Sequence, residues 1–396
     1  SDANEAMAKA ALQQSVAETM QLLTTKGFVK MADGQANVPA ERRALLPCLP
    51  CLVASKHALS VATVEHIIRA FVPHLLGSDG SAAVAGQASV SEEFFWYTVC
   101  HCQEFSRAVR LRQGDKKQLN ALLRSKTTRW GLSGNRVKSL EEKVFVLVQL
   151  KLAGTNPGSY DLQMDARACV DMLSRIAKAM VSILSSDEVC SSLVVYAHTM
   201  YRSALHSMWS SDPLPLRQLE SLRRHFKKLG DLNICSVADL VRLHESDLKD
   251  LVKLPANTVA AASEELGGLV PVEADVFARK QPHGRMWDVV IKATAAVPHR
   301  LGSSTLSTPA WAHGWWFWLL DAEGRLVAKL RVRRYDDAEL VVSVPEDAVM
   351  NNLSLCVQHA NLLSMDILKP VRLQQASSSA ANAQRAAPAD VSDIFG

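Results

Sequence analysis

The stretch SALHSMWSSDPLPLRQL, residues 203–219, decides how the chain divides. A run with helical apolar spacing reaches Trp209 and is interrupted by Ser-Ser-Asp-Pro, after which a second run begins at Leu216. Proline has no backbone amide to donate, so Pro213 and Pro215 end the helix and restart the chain. The stretch therefore marks a boundary between two helical regions, and Trp209 is expected to fill the junction between them as a buried anchor.

The composition restricts the kind of protein. The chain has 396 residues, which is too long for one ordinary domain. Apolar residues make up 48% and charged residues 21%, enough for a sizeable core. The net charge is only +4, so any nucleic-acid affinity must come from local clusters of cations. Because we find no signal peptide and no run of about 18 apolar residues, we expect a soluble intracellular protein.

Upstream of the boundary, several segments carry apolar residues at helical spacing. Residues 5–26 predict an amphipathic helix, and residues 27–38 predict a short strand pair after it. A helix followed by a hairpin is typical of the end of a winged helix, which we assign to residues 1–45. Residues 46–212 predict a helical bundle, in which residues 162–185 form the longest helix. The predicted apolar stripe of that helix consists of Met164, Ala168, Met172, Ile176, Met180 and Ile183.

Downstream of the boundary, residues 213–272 predict a cluster of short helices. The pattern then changes to alternation with β-branched residues, and Asp-Ala-Glu-Gly at 321–324 predicts a hairpin. Residues 280–373 therefore predict a small β-sandwich. Residues 374–396 are rich in Ala and Ser, which predicts a disordered tail. The predicted fold class is multidomain and mainly α, with a partial winged helix first and a β-sandwich last.

Catalytic motifs are missing from this sequence. There is no phosphate loop of the type G-x-x-x-x-G-K-[ST], no G-x-G-x-x-G after a strand and no H-E-x-x-H. The segment SSDEVC at 185–190 is similar to an Asp-Glu metal-and-ATP box. Such a box should end a buried parallel strand, whereas this one ends a predicted helix. We therefore interpret the segment as a polar helix terminus and expect no cofactor in this chain.

Eight cysteines are present, and several lie on apolar helical faces. Cys48 and Cys51 form a C-x-x-C pair, and Cys100 and Cys102 form a closer pair. Together the two pairs could supply four zinc ligands. The alternative is ordinary buried thiols in a reducing compartment, which we favour because the second pair has helical, apolar surroundings. We expect no metal site.

The polar face of the predicted helix 162–185 carries Arg167, Arg175 and Lys178, with Asp171 between them. These positions share one side of a helix. One interpretation is an ordinary solvated face. The other is a helix that lies along a nucleic-acid backbone, where cations neutralise phosphates and release counterions.

A second group of cations follows the boundary, at Arg223, Arg224, Lys227 and Lys228. The segment after it, residues 229–255, predicts short helices joined by tight turns. A helix-hairpin-helix unit binds phosphates through turn amides and nearby cations, so these four residues are candidate nucleic-acid ligands. The usual turn glycines are missing, because Asn233-Ile234-Cys235 stands in their place. Alternatively, the turn keeps only the structure of such a unit and does not bind phosphates.

In the predicted β region, Lys329, Arg331 and Arg333 alternate with apolar residues along one strand. Such cations either protect a sheet edge or form a basic docking face for a protein partner. We take all three as candidate partner-binding residues. The neighbouring rings that we predict as sandwich core and rim, rather than as a platform for stacked bases, are Trp315, Trp316 and Trp318.

The order of these parts resembles a known module named Sec sixty-three, which follows the motor domains of Ski-like superfamily-two helicases. No single motif decides the resemblance, which rests on order and spacing over roughly residues 40–373. The segments that carry it are PCLVASKHALSVATVEHI at 50–67, SEEFFWYTV at 91–99, KVFVLVQLKLAG at 143–154, ALHSMWSSDPLPLRQL at 204–219, ICSVADL at 234–240 and GWWFWLLDAEGRLVAKLRV at 314–332.

The resemblance implies a helical bundle, a helix-hairpin-helix domain and a fibronectin- or immunoglobulin-like sandwich. The meiotic crossover DNA helicase type is the most similar, through VQLKLAG, QMD and LSRIAK. In this family the long bundle helix acts as a ratchet along the translocating strand, which implies that role for Arg167, Arg175 and Lys178. It also implies a nuclear location, and ATP and Mg²⁺ only through a motor domain that this chain lacks.

Two functions follow as expectations. The first is the accessory C-terminal region of a helicase, which contacts single-stranded DNA or RNA through the bundle and protein partners through the sandwich. The second is a non-catalytic protein-interaction scaffold of a spliceosomal or translocation-type assembly. We expect no membrane partner under either hypothesis.

Overall fold

A computed structural model of the chain describes residues 2–32, 45–72, 90–187, 189, 191–266, 269, 272–281, 285–295, 314–332, 338–350 and 352–373. The statements below concern these residues. Two predictions, the candidate residue Arg333 and the tail at 374–396, lie outside them. No helix in the described part of the chain is both long and apolar enough to cross a membrane.

The helices occupy most of the first two thirds of the chain. In chain order they are α1 (Asp2–Thr25), α2 (Leu49–His57), α3 (Val61–Phe71), α4 (Glu92–Val99), α5 (Glu104–Ala108), α6 (Asp115–Arg124), α7 (Leu140–Leu152), α8 (Tyr160–Leu184), α9 (Val194–His206), α10 (Phe226–Asp231), α11 (Val237–Leu240), α12 (Glu245–Asp250), α13 (Ala256–Leu266) and α14 (Glu346–Met350). Short 3-10 segments lie at Ser133–Asn135, Pro215–Gln218 and Glu220–His225.

The strands gather mostly at the C-terminal end. They are β1 (Val29–Met31), β2 (Leu45–Pro47), β3 (Val272–Lys280), β4 (Met286–Ala295), β5 (Trp315–Leu320), β6 (Leu326–Val332), β7 (Ala338–Pro345), β8 (Ser354–His359), β9 (Ile367–Pro370) and β10 (Arg372–Leu373). One four-stranded sheet has the order β10-β3-β4-β7 and the other β6-β5-β8-β9. Only the β10–β3 pair among the described strands is parallel.

At the N-terminal end, α1 confirms the helix predicted over 5–26. The strand pair predicted over 27–38 begins in β1, which pairs with β2 at 45–47; the second half of that prediction lies outside the described residues. The apolar side chains of α1 are largely exposed, since Met7 is 73% and Leu12 65% accessible. This end of the chain therefore shares little of the main core.

The bundle core forms around α7 and α8. Ser139 caps α7 through a capping box with Glu142, and Ser60 caps α3, as its sequence position favours. Helix α7 is apolar on almost every side, so nearly all of its side chains are buried. Helix α8 packs against α9, α7 and α2. This confirms the long helix predicted at 162–185, although Met164 of its predicted apolar stripe is 46% exposed.

The junction at residues 203–219 has a definite structure. Helix α9 ends at His206, and Ser207 adopts a left-handed conformation with φ 51°. The Trp209 ring then packs edge-on against Trp96 and Trp130 of the bundle, with centroids 5.2 and 5.4 Å apart. Trp209 is therefore an anchor, as predicted, but its ring contacts in the described residues belong to the bundle rather than to the downstream helices.

The two sheets pack face to face over a core that they share with the short helices α10–α13. Leu222 and Leu240 of that helical cluster, and Val276, Phe317 and Val357 of the sheets, belong to one buried cluster. The chain is thus mainly α and multidomain with C-terminal sheets, as the periodicity predicted. The predicted core and rim role of the tryptophans is confirmed, since Trp315 and Trp318 are buried and Trp316 is half-buried.

Strand β5 is covered on both faces, which joins the sandwich to the bundle. Phe317 points to the other sheet, whereas Trp318 belongs to the bundle core. The bundle element it meets is α9, because His198 lies 5.8 Å from Trp318 between ring centroids. The sheet β6-β5-β8-β9 is therefore the layer between the two halves of the molecule.

Candidate nucleic-acid interface

Helix α8 presents the first group of predicted cations. The Ser159 hydroxyl accepts from the backbone amide of Leu162 at 3.4 Å and starts the helix. The helix runs for 25 residues, or about 37 Å at 1.5 Å per residue. Its buried side includes Leu173 and Met180, so the opposite side faces solvent along much of its length. A straight, exposed helical stripe of this length can follow an extended ligand.

The three predicted cations of α8 lie on that stripe. Arg167 and Lys178 are exposed, and Arg175 is half-buried. Among the described residues, none of the three has a carboxylate oxygen within 4.0 Å of its charged nitrogens. The Arg175 Nε is buried and lacks a hydrogen-bond partner in the described part of the chain. These charges are therefore not neutralised by the fold.

The cations of α8 are placed beside aromatic or sulfur groups instead. The Nη2 atom of Arg175 lies 2.6 Å from the sulfur of Met172 on the same helix. The Nζ of Lys178 lies 5.5 Å from the ring centroid of Tyr201 on α9. Cation–π contact holds an ammonium in place without neutralising it.

The second group of cations lines an open cleft in the helical cluster. The cleft has a volume of about 630 Å³ and is lined by Glu220, Ser221, Arg223, Arg224, His225 and Thr258. Arg223 pairs with Glu220 at 3.1 Å, and both side chains are mostly exposed. Arg224 and Lys227 are exposed, whereas Lys228 donates to the backbone oxygen of Lys253 at 3.3 Å. The structure thus brings Arg223 and Arg224 together and directs Lys228 to a turn.

Two turns of the helical cluster share a backbone geometry that the sequence analysis missed. Asn233 and Lys253 both have positive φ, 58° and 51°. The amide after each residue donates back to a leucine carbonyl, Ile234 to Leu229 and Leu254 to Leu248, both at 3.0 Å, and the second turn is one residue longer than the first. The signal was present as the paired stretches LGDL at 229–232 and LKDL at 248–251. The Lys228 contact joins the two turns.

The predicted partner-binding cations of β6 lie on its bundle-facing side. The β5–β6 register sets Arg331 opposite Trp316 and Lys329 opposite Trp318. The Nζ of Lys329 donates to the backbone oxygen of Ser185 and lies 3.4 Å from Asp187 Oδ1. Lys329 therefore ties the sandwich to the end of α8. Arg331 is exposed, and its guanidinium carbon lies 5.2 Å from the Trp316 centroid.

Two segments with alternative sequence interpretations lie in the described structure. Helix α8 ends at Leu184, so the segment at 185–190 follows a helix and not a strand. Cys100 and Cys102 are buried, and burial raises the pKa of both thiols. In the described residues, no group of three or more Cys, His, Asp or Glu side chains is arranged to hold a metal ion.

A buried polar network at the bundle–sandwich junction was not foreseen. Gln358 of β8 accepts from His198 Nδ1 at 2.9 Å and from Trp318 Nε1 at 3.1 Å. Arg202, which is fully buried, holds the Asp366 carboxylate with both terminal nitrogens. Burial lowers the pKa of His198 to about 3, and the Arg202 charge also acts to lower it. The only sequence signal was a histidine and an arginine four residues apart inside an otherwise apolar helix.

Comparison with protein families places most of the chain in a known family. The family described as the Sec63 Brl domain matches residues 50–371. A search of curated proteins found no match. The matched range contains the bundle, the helical cluster and almost all of the sandwich.

Proposed function

Because the chain belongs to the Sec63 Brl domain family, we propose that it is an accessory helicase region that holds single-stranded nucleic acid along α8. The Sec63 Brl domain is found in Ski-like superfamily-two helicases, which supports a helicase-related role. Within this proposal α8 supplies cations to the phosphates of a passing strand, and other parts of such a protein supply the motor that uses ATP and Mg²⁺.

The observation that carries the proposal is the absence of carboxylate partners on the α8 stripe within the described residues. Some arginines elsewhere in the bundle are paired, as Arg112 is with Asp165 and Arg129 with Glu92. Arg167, Arg175 and Lys178 keep their charge for a ligand. A polyanion that neutralises them would release its counterions, so binding should weaken steeply with salt.

Arg175 has a particular role in this proposal. Its Nε is buried and has no hydrogen-bond partner in the described structure. Because that nitrogen is not accessible to a ligand, a strand would meet the terminal nitrogens of the guanidinium, which make strong charge-assisted hydrogen bonds to phosphate oxygens. We therefore assign Arg175 a directed phosphate contact and Lys178 a more diffuse electrostatic one.

The helical cluster offers a second contact. Its two similar turns support a helix-hairpin-helix relationship, in which Asn233 and Lys253 stand where glycines are usual. The cleft beside Arg223 and Arg224 lies in the same helical cluster, but its lining residues are outside the two turns. We propose that these cations, with Lys227 and Lys228, hold the strand backbone without reading its sequence.

Finer assignments rest on sequence resemblance. A relationship to the meiotic crossover DNA helicase, with a nuclear location, is supported by VQLKLAG, QMD and LSRIAK. The fibronectin- or immunoglobulin-like type of the sandwich is supported by its two facing four-stranded sheets. Either DNA or RNA fits phosphate contacts alone, because these do not read the 2′-hydroxyl.

The test is fluorescence anisotropy of a labelled single strand titrated with the chain at low and moderate salt. Arg175→Glu/Lys178→Glu should weaken binding by at least about tenfold at low salt. It should also lower the slope of log affinity against log salt by about 0.7 for each phosphate that the variant no longer neutralises. The matched control is Lys116→Glu/Lys117→Glu on α6, which reverses two exposed charges in the same bundle. Equal effects of both pairs, or none, would remove α8 from the interface.

A protein-interaction scaffold is the second candidate. The observation that favours it is a pair of exposed leucines at the sandwich edges, Leu368 on β9 at 71% and Leu373 on β10 at 51% accessible. Exposed apolar groups at strand edges are typical of protein docking sites. If no strand binds, and Leu368→Asp abolishes a stable protein complex, this candidate replaces the first.

A further inference from the structure

The bundle and the sandwich contribute cations to the same surface. Lys178 of α8 lies over the Tyr201 ring, and Arg331 of β6 lies over the Trp316 ring. The His198 ring lies 6.1 Å from the Tyr201 ring and 6.3 Å from the Trp316 ring between centroids, so the two rings are neighbours across the junction. A cation of the bundle and a cation of the sandwich therefore lie over neighbouring aromatic rings.

Direct contacts make this surface continuous. Lys329 is two residues from Arg331 on the same face of β6, and it donates to the backbone oxygen of Ser185 immediately after α8. The cationic stripe of α8 thus leads to the sandwich strand without an intervening element. The carboxylate that accompanies Lys329 is that of Asp187, at 3.4 Å.

The floor of the surface is rigid. Trp316 and Trp318 stack with centroids 4.7 Å apart and ring planes 7° from parallel. The His198 ring contacts both tryptophans edge-on, at 6.3 and 5.8 Å. Because Gln358 bonds both His198 and Trp318, the rings of the two halves are held in one arrangement. The rings over which Lys178 and Arg331 lie are therefore held together by contacts within the fold.

The chemistry of the surface suits a nucleic-acid strand better than a protein. Proteins that bind single-stranded nucleic acids contact the phosphates with cations and stack the bases on aromatic rings. This surface supplies both kinds of group. Protein interfaces, in contrast, usually have an apolar centre. Among the described residues of β5 and β6, no large apolar side chain is strongly exposed.

We propose that a strand bound along α8 continues across the sandwich, with one phosphate on Arg331 and a base against the exposed edge of Tyr201 or Trp316. This inference rests on the proposed function of α8. It assigns Arg331 to nucleic acid, whereas the sequence pattern placed this residue in a protein-docking face. The sandwich then extends the strand path instead of only recruiting partners.

The experiment is anisotropy of a labelled oligothymidylate over a range of salt concentrations, with Arg331→Gln and Arg331→Lys. Arg331→Gln should weaken binding several-fold and lower the log–log salt slope by about 0.7, the share of one phosphate. Arg331→Lys keeps the charge and should restore the slope. The matched control is Lys292→Gln on the opposite sheet, where Lys292 lies 5.6 Å from the Phe277 centroid in a similar cation–π contact. Its salt slope should equal that of the wild type.

The outcomes separate the two proposals. If the wild type binds, and Arg331→Gln binds equally well with an unchanged slope, the path over the sandwich is wrong while the α8 proposal stands. If Lys292→Gln weakens binding as much as Arg331→Gln, the loss of affinity comes from the net charge of the protein, and the proposed site at Arg331 is also wrong. Loss of a protein complex without loss of strand binding would return Arg331 to protein docking. A wild type that does not bind overturns both proposals.

Discussion

At the scale of single residues, the bundle contains a lysine that the sequence gives no reason to notice. Lys143 is fully buried within α7, and its Nζ donates to Asp115 at 2.5 Å and to Asp165 at 2.7 Å. Burial would raise the pKa of Asp165, but hydrogen bonds from Arg112 and Lys143 lower it on balance. The lysine therefore compensates two carboxylates that come from different elements.

Lys143→Met should destabilise the bundle by about 3–5 kcal/mol, because it leaves the buried Asp115 without its cation and removes one of the two cations that hold Asp165. Equilibrium unfolding in urea at neutral pH measures the loss. Lys117→Met, which changes an exposed lysine of α6, should shift stability by no more than about 0.5 kcal/mol. Similar losses of stability in both variants would show that the charge of Lys143 does not stabilise the buried carboxylates.

At the scale of elements, two glycines have opposite roles. Gly154 follows the C-terminal end of α7 with φ 67°, and a Cβ there would lie 2.5 Å from Arg217 Nη2. Gly230 lies inside α10, where a Cβ would meet nothing within 4 Å. The first glycine is required by backbone conformation, and the second only weakens its helix.

Gly154→Ala should therefore destabilise the protein by about 1–2 kcal/mol, the cost of a left-handed alanine. The contact with Arg217 adds little, since the end of that side chain can move. Gly230→Ala should stabilise by about 0.5–1 kcal/mol through helix propensity. Thermal melting of both variants beside the wild type checks the pair, and shifts of the same sign would contradict it.

At the scale of the whole molecule, the buried network around His198 joins the bundle to the sandwich. The groups that face His198 are Arg202, Asp366 and Gln358. Because the folded pKa of His198 is about 3, below the ordinary value of 6.5, the folded state excludes a proton that the unfolded chain takes up. Its contribution to stability is complete above pH 6.5 and is lost as pH falls from 6.5 towards 3.

The free energy of unfolding should fall by about 1.4 kcal/mol for each pH unit below 6.5 on account of this histidine alone. His198→Asn, which keeps a donor for Gln358, should flatten the slope by that amount even though it lowers stability at neutral pH. Urea unfolding at several pH values between about 4 and 7 gives the slopes. A slope unchanged in His198→Asn would contradict the assignment.

His57, whose pKa burial lowers to about 4, adds a separate slope that His57→Asn should remove.

The sequence predicted those features that depend on neighbouring residues. The helical spacing of 162–185 predicted α8, and the prolines after Trp209 predicted the end of a helical region before the 3-10 segments. Alternation predicted that Lys329 and Arg331 share a face of β6. These features depend on local periodicity and backbone chemistry, which a short window of sequence contains. Near the N-terminus, the pairing of β1 with β2 was not predicted, because β2 lies more than ten residues further along the chain.

Only the tertiary structure decided which faces meet. Arg202 and Asp366 are 164 residues apart, and nothing local to either indicates the other. In the same way, the sequence treated the cations of α8 and of β6 as two separate surfaces, whereas packing of α9 against β5 brings both beside the neighbouring rings of Tyr201 and Trp316. The physical reason is that periodicity determines which side of an element is apolar, whereas the partner of that side depends on the shape and burial of all the elements together.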